Sequence, residues 1–316
     1  MARSRKRRKK KQTKNIYISF LLIIIILLIG WFWKENKRIS QIELSKISLN
    51  TYMEIADEIS GDGPQIDWKP VLAIGAAVTN NRPNEFDENK IYDVSKKFKE
   101  ESAYSSVKGE GIKLQSLDEV MDKMDLGIKE RKLAHIYIGE LEDVSISHWK
   151  LSSAKKQFIK NLEKDAKDNY EEFGILPSIT IAQAILESSW GESRLATEGN
   201  NLFGIKAGNT WQGTSVTMKT KEYQNLIIDG KFRAYENVGD SIKDHGIFLV
   251  TNPRYEKNGV FKARNYNRQA EALERAGYST ARNKEGEAIY ASLLKSLIKQ
   301  YSLQSYDYQV QLKDQY

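Results

Sequence analysis

A single carboxylate closes an apolar stretch in the second half of the chain. In Ile181-Ala-Gln-Ala-Ile-Leu-Glu-Ser-Ser-Trp-Gly191, Glu187 follows Ile185 and Leu186 and precedes Trp190. Read as a helix that Gly191 ends, the run puts Glu187 in the last turn. Apolar neighbours disfavour the charged carboxylate, and so does the negative end of the helix dipole. Both raise the pKa, as a general acid working near neutral pH requires. The same residue reads equally well as a side chain fraying into solvent past Leu186, and this stretch alone does not separate the two accounts.

The elements that would position Glu187 follow from periodicity. Phe158, Leu162, Ala166 and Tyr170 recur every four residues, giving an amphipathic helix that Gly174 stops. Thr180 and Gln183 have the spacing of a capping box, which starts the next helix at Ser178 or Thr180. Residues 214–222 alternate like a strand, and Leu226–Tyr235 adds a second one with a turn expected at Asp229-Gly230. Helices are then expected from Asp240 or Ser241, over Gln269–Arg275, and over Glu285–Tyr301. The class is α+β and mostly helical, with a small hairpin lobe facing the Glu187 helix across a cleft suited to an extended polymer. His135 and His148 stand alone, without a spaced second ligand, so neither a metal site nor a cofactor is expected.

Six groups of residues occur in order: Ala182-Gln-Ala-Ile-Leu-Glu-Ser-Ser-Trp-Gly-Glu-Ser193, Asn200-Asn-Leu-Phe-Gly-Ile-Lys206, Thr220-Lys-Glu-Tyr223, Phe232-Arg-Ala-Tyr235, Ser241-Ile-Lys-Asp-His245 and Ala276-Gly-Tyr-Ser-Thr280. This set resembles the bacterial peptidoglycan N-acetylglucosaminidases of glycoside hydrolase family 73, over residues 152–303. The resemblance implies a lysozyme-like fold and hydrolysis of the β-1,4 bond between N-acetylglucosamine and the following N-acetylmuramic acid. It implies Glu187 as general acid, Glu222 as the second carboxylate on the hairpin, and Tyr278 as the tyrosine lining the cleft near the scissile bond. Trp190, Phe203 and Tyr235 become candidates for flat contacts with sugar rings, and Asn201 for a hydrogen bond to an acetamido group. For Phe203 and Tyr235 core packing competes with that role, and for Asn201 so does tying down its loop; Arg233 and His245 read as structural. A muramidase or lytic transglycosylase, and a non-catalytic glycan-binding scaffold, stay open as alternatives.

The net charge of +7 is concentrated at one end. Residues 1–14 carry nine Lys or Arg and no acid, leaving a net −2 on the rest, which argues against a phosphate-binding groove and hence against nucleic acid as a partner. Residues 16–33 then run without a charge from Ile16 to Trp33, roughly 27 Å as a helix, about the hydrocarbon thickness of a bilayer. The exit through Gly30-Trp-Phe-Trp33 is too bulky for signal cleavage, so a single-pass anchor is expected. The basic tail, 1–15, should stay in the cytoplasm and place the remainder outside, facing the cell wall. With no cysteine, folding there must rest on packing. Residues 36–150 read as a helical extracellular region with no chemical motif, which by position holds the catalytic unit off the membrane, narrows its cleft or docks a membrane protein. Residues 304–316 read as a frayed polar tail.

Overall fold

The computed structural model describes residues 48–82, 85–101, 111–148, 152–221 and 227–315, together with Leu27. The expected anchor at 16–33 therefore lies outside the described residues, apart from Leu27. Among the described residues no helix is long and apolar enough to cross a membrane.

The first unit begins with α1 (Leu49–Ser60) and α2 (Trp68–Val78). Helix α2 is buried from Trp68 to Ala77, and Asp67 caps it by accepting from the Lys69 amide. After α3 (Glu88–Lys97), two three-residue strands pair antiparallel, β1 (Lys99–Glu101) with β2 (Ile112–Leu114). This ribbon was not expected in a region read as helical, because neither strand is long enough to show alternation. A complete capping box, Ser116 with Glu119, opens α4 (Leu117–Lys123), and α5 (Ile128–His148) packs on α2. Trp68, Leu72, Phe98, Met121 and Tyr137 are among the side chains of this core.

The second unit has its own core, built on α6 (Ser153–Phe173) and α7 (Pro177–Ser188). Short α8 (Arg194–Gly199) leads to the hairpin of β3 (Ser215–Lys221) and β4 (Ile227–Arg233). Then come α9 (Val238–Thr251), α10 (Pro253–Lys257), a 3-10 turn at Val260–Lys262, α11 (Tyr266–Arg275) and α12 (Tyr290–Tyr301). The result is mostly helical α+β. The expected turn at Asp229-Gly230 is corrected: Asp229 pairs with Lys219 and Gly230 with Met218, inside the ladder. Pairing all seven residues of each strand satisfies more backbone groups than a reversal in mid-strand would. Similarly, α9 is capped not by Asp240 or Ser241 but by Asn237, whose side chain accepts from the Asp240 amide.

The largest departure is at the C-terminus. Residues 304–313 are not a frayed tail but a helix, α13 (Gln304–Lys313), wedged between the two units. Its buried Ser305, Asp307, Tyr308 and Gln311 each have a distant partner. The Ser305 hydroxyl donates to Asp67 (3.0 Å), the Tyr308 hydroxyl to the Gln115 carbonyl (2.6 Å), and Gln311 accepts from the Gln65 amide (2.9 Å). Around it the units are joined directly: Asn265 donates to the Gly61 and Gly63 carbonyls (both 3.0 Å), Arg268 pairs with Asp62 (2.7 Å), and Tyr266 donates to Asp57.

Asp307 on α13 completes the start of α7. The cap position of α7 is Leu176, which has no polar side chain, so the orphan donors of the first turn need outside acceptors. Asp307 takes the Ser178 amide (2.8 Å) and the Ser178 hydroxyl (2.5 Å), and Gln269 takes the Leu176 amide (2.8 Å). Pro177, at the first helical position, has no N–H to satisfy. The expected capping box is not formed: Thr180 accepts from Asn169 (3.2 Å) and Gln183 turns to Tyr290.

Burial pushes the Asp307 carboxyl up to about 7, against the two bonds from Ser178. Its folded-state pKa thus lies above the unfolded value, so its contribution to stability is complete below the ordinary carboxylate range and is lost as pH rises through about 7. Denaturant titrations between pH 5 and 8.5 should show the wild type losing up to about 1.4 kcal/mol per pH unit relative to Asp307→Asn, which has no carboxyl to ionise. Parallel pH dependences for the two proteins would contradict this.

Candidate active site

Helix α7 is buried from Pro177 through Ile185, and Glu187 is its first exposed residue, in the last turn. The helix stops by a tightly bonded reversal. The Ser188 hydroxyl donates to the Ala184 carbonyl (2.5 Å) and accepts from the Gly191 amide (2.7 Å), while the Trp190 amide reaches back to Ile185 (3.1 Å). Ser189, Trp190 and Gly191 have φ of 52°, 66° and 77°, three left-handed residues in succession. Two of them carry side chains, which is unfavourable by about 1–3 kcal/mol each and persists only where the surroundings enforce it. The Trp190 ring supplies that enforcement: it packs edge-on against Phe158 (6.0 Å) and Tyr301 (5.0 Å), with the Lys155 ammonium 4.6 Å over it. Trp190 is thus committed to packing that fixes the turn after Glu187.

The Glu187 carboxyl meets Tyr290, at the start of α12. The Tyr290 hydroxyl donates to Oε1 of Glu187 (2.9 Å) and accepts from Nε2 of Gln183 (2.9 Å). The Tyr290 ring stacks on Tyr278 at 5.3 Å and 20°. Loss of water around the carboxyl pushes the Glu187 pKa up, and the Tyr290 bond pulls partly the other way. The residue as a whole stays exposed, so the crowding is on the protein side of a group still open to solvent. Burial, with the Glu187 charge nearby, holds the Tyr278 phenol protonated well above its ordinary range. Glu187 and Tyr278 are therefore brought together, with Tyr290 between them. Glu222 lies outside the described residues.

The remaining candidates sit in the scaffold behind this pair. Asn201 donates to the Ile205 and Arg233 carbonyls (3.0 and 2.8 Å) and accepts from the Phe203 and Ile205 amides (3.3 and 3.2 Å). That fills its hydrogen-bonding capacity and clamps its loop to β4. Phe203 is buried and stacks on His245 at 4.0 Å, and His245 meets Tyr278 edge-on at 6.0 Å. His245 is fully buried, and burial pushes its pKa down to about 3, so the ring is neutral. The Tyr235 hydroxyl donates to Asp244 (2.6 Å), which also takes two bonds from Arg233 (both 2.8 Å), fastening the base of the hairpin to α9.

Gln183 reads from the sequence only as a capping residue, and Tyr290 and Asp244 are not marked there as site residues. Gln183 could have been marked as one, since it precedes Glu187 by four residues and so shares its helix face. Nothing local marks Tyr290, which reaches Glu187 only through the packing of α12 on α7.

Residues 163–303 match the family model of the glucosaminidases, described as mannosyl-glycoprotein endo-β-N-acetylglucosaminidase. The exo-glucosaminidase LytG of Bacillus subtilis strain 168 is 41% identical over 156 residues, covering 48% of this chain and 52% of that protein. The peptidoglycan hydrolase FlgJ of Salmonella typhimurium is 34% identical over 162 residues, covering 49% of each. Among solved structures, the catalytic domain of the autolysin Auto from Listeria monocytogenes shares 32% identity and covers 49% of this chain and 89% of its own, with a TM-score of 0.43. Residues 163–303 thus match the glucosaminidase family model, and the relatives they resemble are named as an exo-glucosaminidase and a peptidoglycan hydrolase. The chain spans about half the length of the curated relatives it matches.

A Cβ at Gly191 would stand 2.7 Å from Cε2 of Phe158, at a φ that disfavours any side chain. Gly191→Ala should therefore lower stability by about 1–3 kcal/mol in chemical denaturation. Unchanged stability would show that the turn after Glu187 is not held as tightly as described.

Proposed function

We propose that the chain is a membrane-anchored cell-wall hydrolase that cleaves the β-1,4 bond between N-acetylglucosamine and N-acetylmuramic acid in peptidoglycan, close to the outer face of the membrane. The observation that carries this is the Glu187 carboxyl, raised in pKa at the end of a buried helix inside the segment that matches the family. The names of the relatives, exo-glucosaminidase and peptidoglycan hydrolase, support the substrate. The pairing of a helical lobe with a hairpin lobe is read as lysozyme-like.

In this reading Glu187 gives its proton to the glycosidic oxygen as the bond from that oxygen to the anomeric carbon breaks. The sugar ring gains oxocarbenium character, which a second group must relieve. Either Glu222 removes a proton from the attacking water or the substrate's own 2-acetamido oxygen closes on the anomeric carbon first. In both routes the water's hydroxyl ends on the anomeric carbon. Its other proton goes to Glu222 in the first, with solvent exchange resetting both carboxyls, and to Glu187 itself in the second, when water opens the acetamido ring. Tyr278, held neutral, lines the cleft beside the acid. The uncharged run 16–33, with nine cations before it, supports an uncleaved anchor and an external catalytic unit. Residues 36–150 then set where that unit stands above the membrane or dock a membrane protein.

The full chain should release glycan fragments from purified peptidoglycan with new reducing ends on N-acetylglucosamine. Reducing ends on muramic acid would mean a muramidase, anhydro ends a transglycosylase, and binding without cleavage a scaffold. Glu187→Gln should lose about 10²–10⁴ in rate. Full activity in that variant would remove Glu187 from the chemistry.

A further inference from the structure

The Glu187 carboxyl has two oxygens, and the structure treats them differently. Oε1 accepts from the Tyr290 hydroxyl at 2.9 Å. That hydroxyl has a single proton, and its oxygen already accepts from the Gln183 amide at 2.9 Å. The phenol proton is therefore directed to Glu187, because the amide donor occupies the other side of the oxygen. With the amide turned the other way, a buried NH₂ group would be left without that acceptor, a greater loss than the unpartnered Gln183 carbonyl seen here. Neither partner has room to reorient. Tyr290 is 2% exposed and Gln183 is fully buried. The Tyr290 ring is stacked on Tyr278, and the α12 backbone behind it is tied to α11 by the bond from the Ala291 amide to Glu274 (3.0 Å).

We propose that Tyr290 and Gln183 are positioning residues that commit Oε1 of Glu187 to the protein and leave Oε2 as the oxygen that carries and delivers the proton. This rests on the reading of Glu187 as the general acid. A carboxyl oxygen that already accepts a strong hydrogen bond is the poorer site for the acidic proton, so the proton resides on the free oxygen. The bond also fixes the carboxyl plane, which sets the angle at which the leaving oxygen must approach. Gln183 and Glu187 lie one helical turn apart on α7 and hold the Tyr290 hydroxyl between them, so the acid and its orienter move as one body.

A purely structural tyrosine would leave the pH dependence of the reaction unchanged, and this one should not. The hydrogen bond favours the charged carboxylate, so its loss raises the Glu187 pKa. The alkaline limb of kcat/KM on solubilised glycan strands reports the ionisation of the acid in the free enzyme. In the full chain, Tyr290→Phe should move that limb up by about half to one pH unit and lower kcat about tenfold through the freed carboxyl. Gln183→Met, which keeps the hydroxyl but not its orienting donor, should shift the limb in the same direction by less. If Tyr290→Phe does not fold, Gln183→Met alone decides.

An unmoved limb in a folded variant overturns the proposal, whether or not kcat falls. Glu187→Gln assayed alongside separates the two claims. If it remains active, the acid has been misassigned. If it is inactive while the limb of the positioning variants stays in place, the acid stands and only the roles of Tyr290 and Gln183 fail.

Discussion

The structure depends on holding an ionisable group at the end of a helix that is otherwise core. A carboxyl out in water has an ordinary pKa and no fixed direction, and one buried without partners is strongly destabilising. Helix α7 avoids both extremes. Its residues from Pro177 through Ile185 are sealed among α6, α11, α12 and α13, while Glu187 emerges at the last turn with one oxygen bonded to Tyr290. The two ends of α7 are fixed by different means. At the N-terminus, Asp307 and Gln269 replace the missing side-chain cap. At the C-terminus, a left-handed reversal is locked by the Trp190 ring.

This makes the unit at residues 48–148 a part of the site's support rather than a detached spacer. Helix α13, which caps α7 through Asp307, is itself bonded to the first unit through Asp67, Gln115 and Gln65. Asp57 joins the units from the other side, where burial raises its carboxyl against the opposing effects of Tyr266, Lys299 and Gln65. Among the described residues the base of the hairpin is tied to the helical lobe: Asp244 gathers Arg233 and Tyr235, and Asn201 clamps the preceding loop.

Much of this was legible in the sequence, for reasons that can be named. The α7 run and its terminal carboxylate are visible because helix periodicity and burial act over neighbouring residues. The paired strands are visible from alternation. Their turn was misplaced because Asp-Gly is a strong local signal that a seven-residue ladder overrides. The tail at 304–313 was misread because Ser305, Asp307 and Gln311 look soluble by composition, and their burial is decided by partners elsewhere in the chain. Tyr290 was invisible for the same reason: its bond to Glu187 spans 103 positions. Asn201 reads as a ligand contact from its side-chain chemistry, which does not reveal that the fold already occupies its donors and acceptors.

The central claim is that Glu187 protonates a leaving oxygen, and leaving-group dependence tests it most directly. Glu187→Ala should be compared with wild type on natural glycan strands and on a chito-oligosaccharide with a dinitrophenolate leaving group, which departs without a proton. The account predicts a loss of about a hundredfold or more on the glycan and about tenfold or less on the activated substrate. Equal losses on both would contradict it.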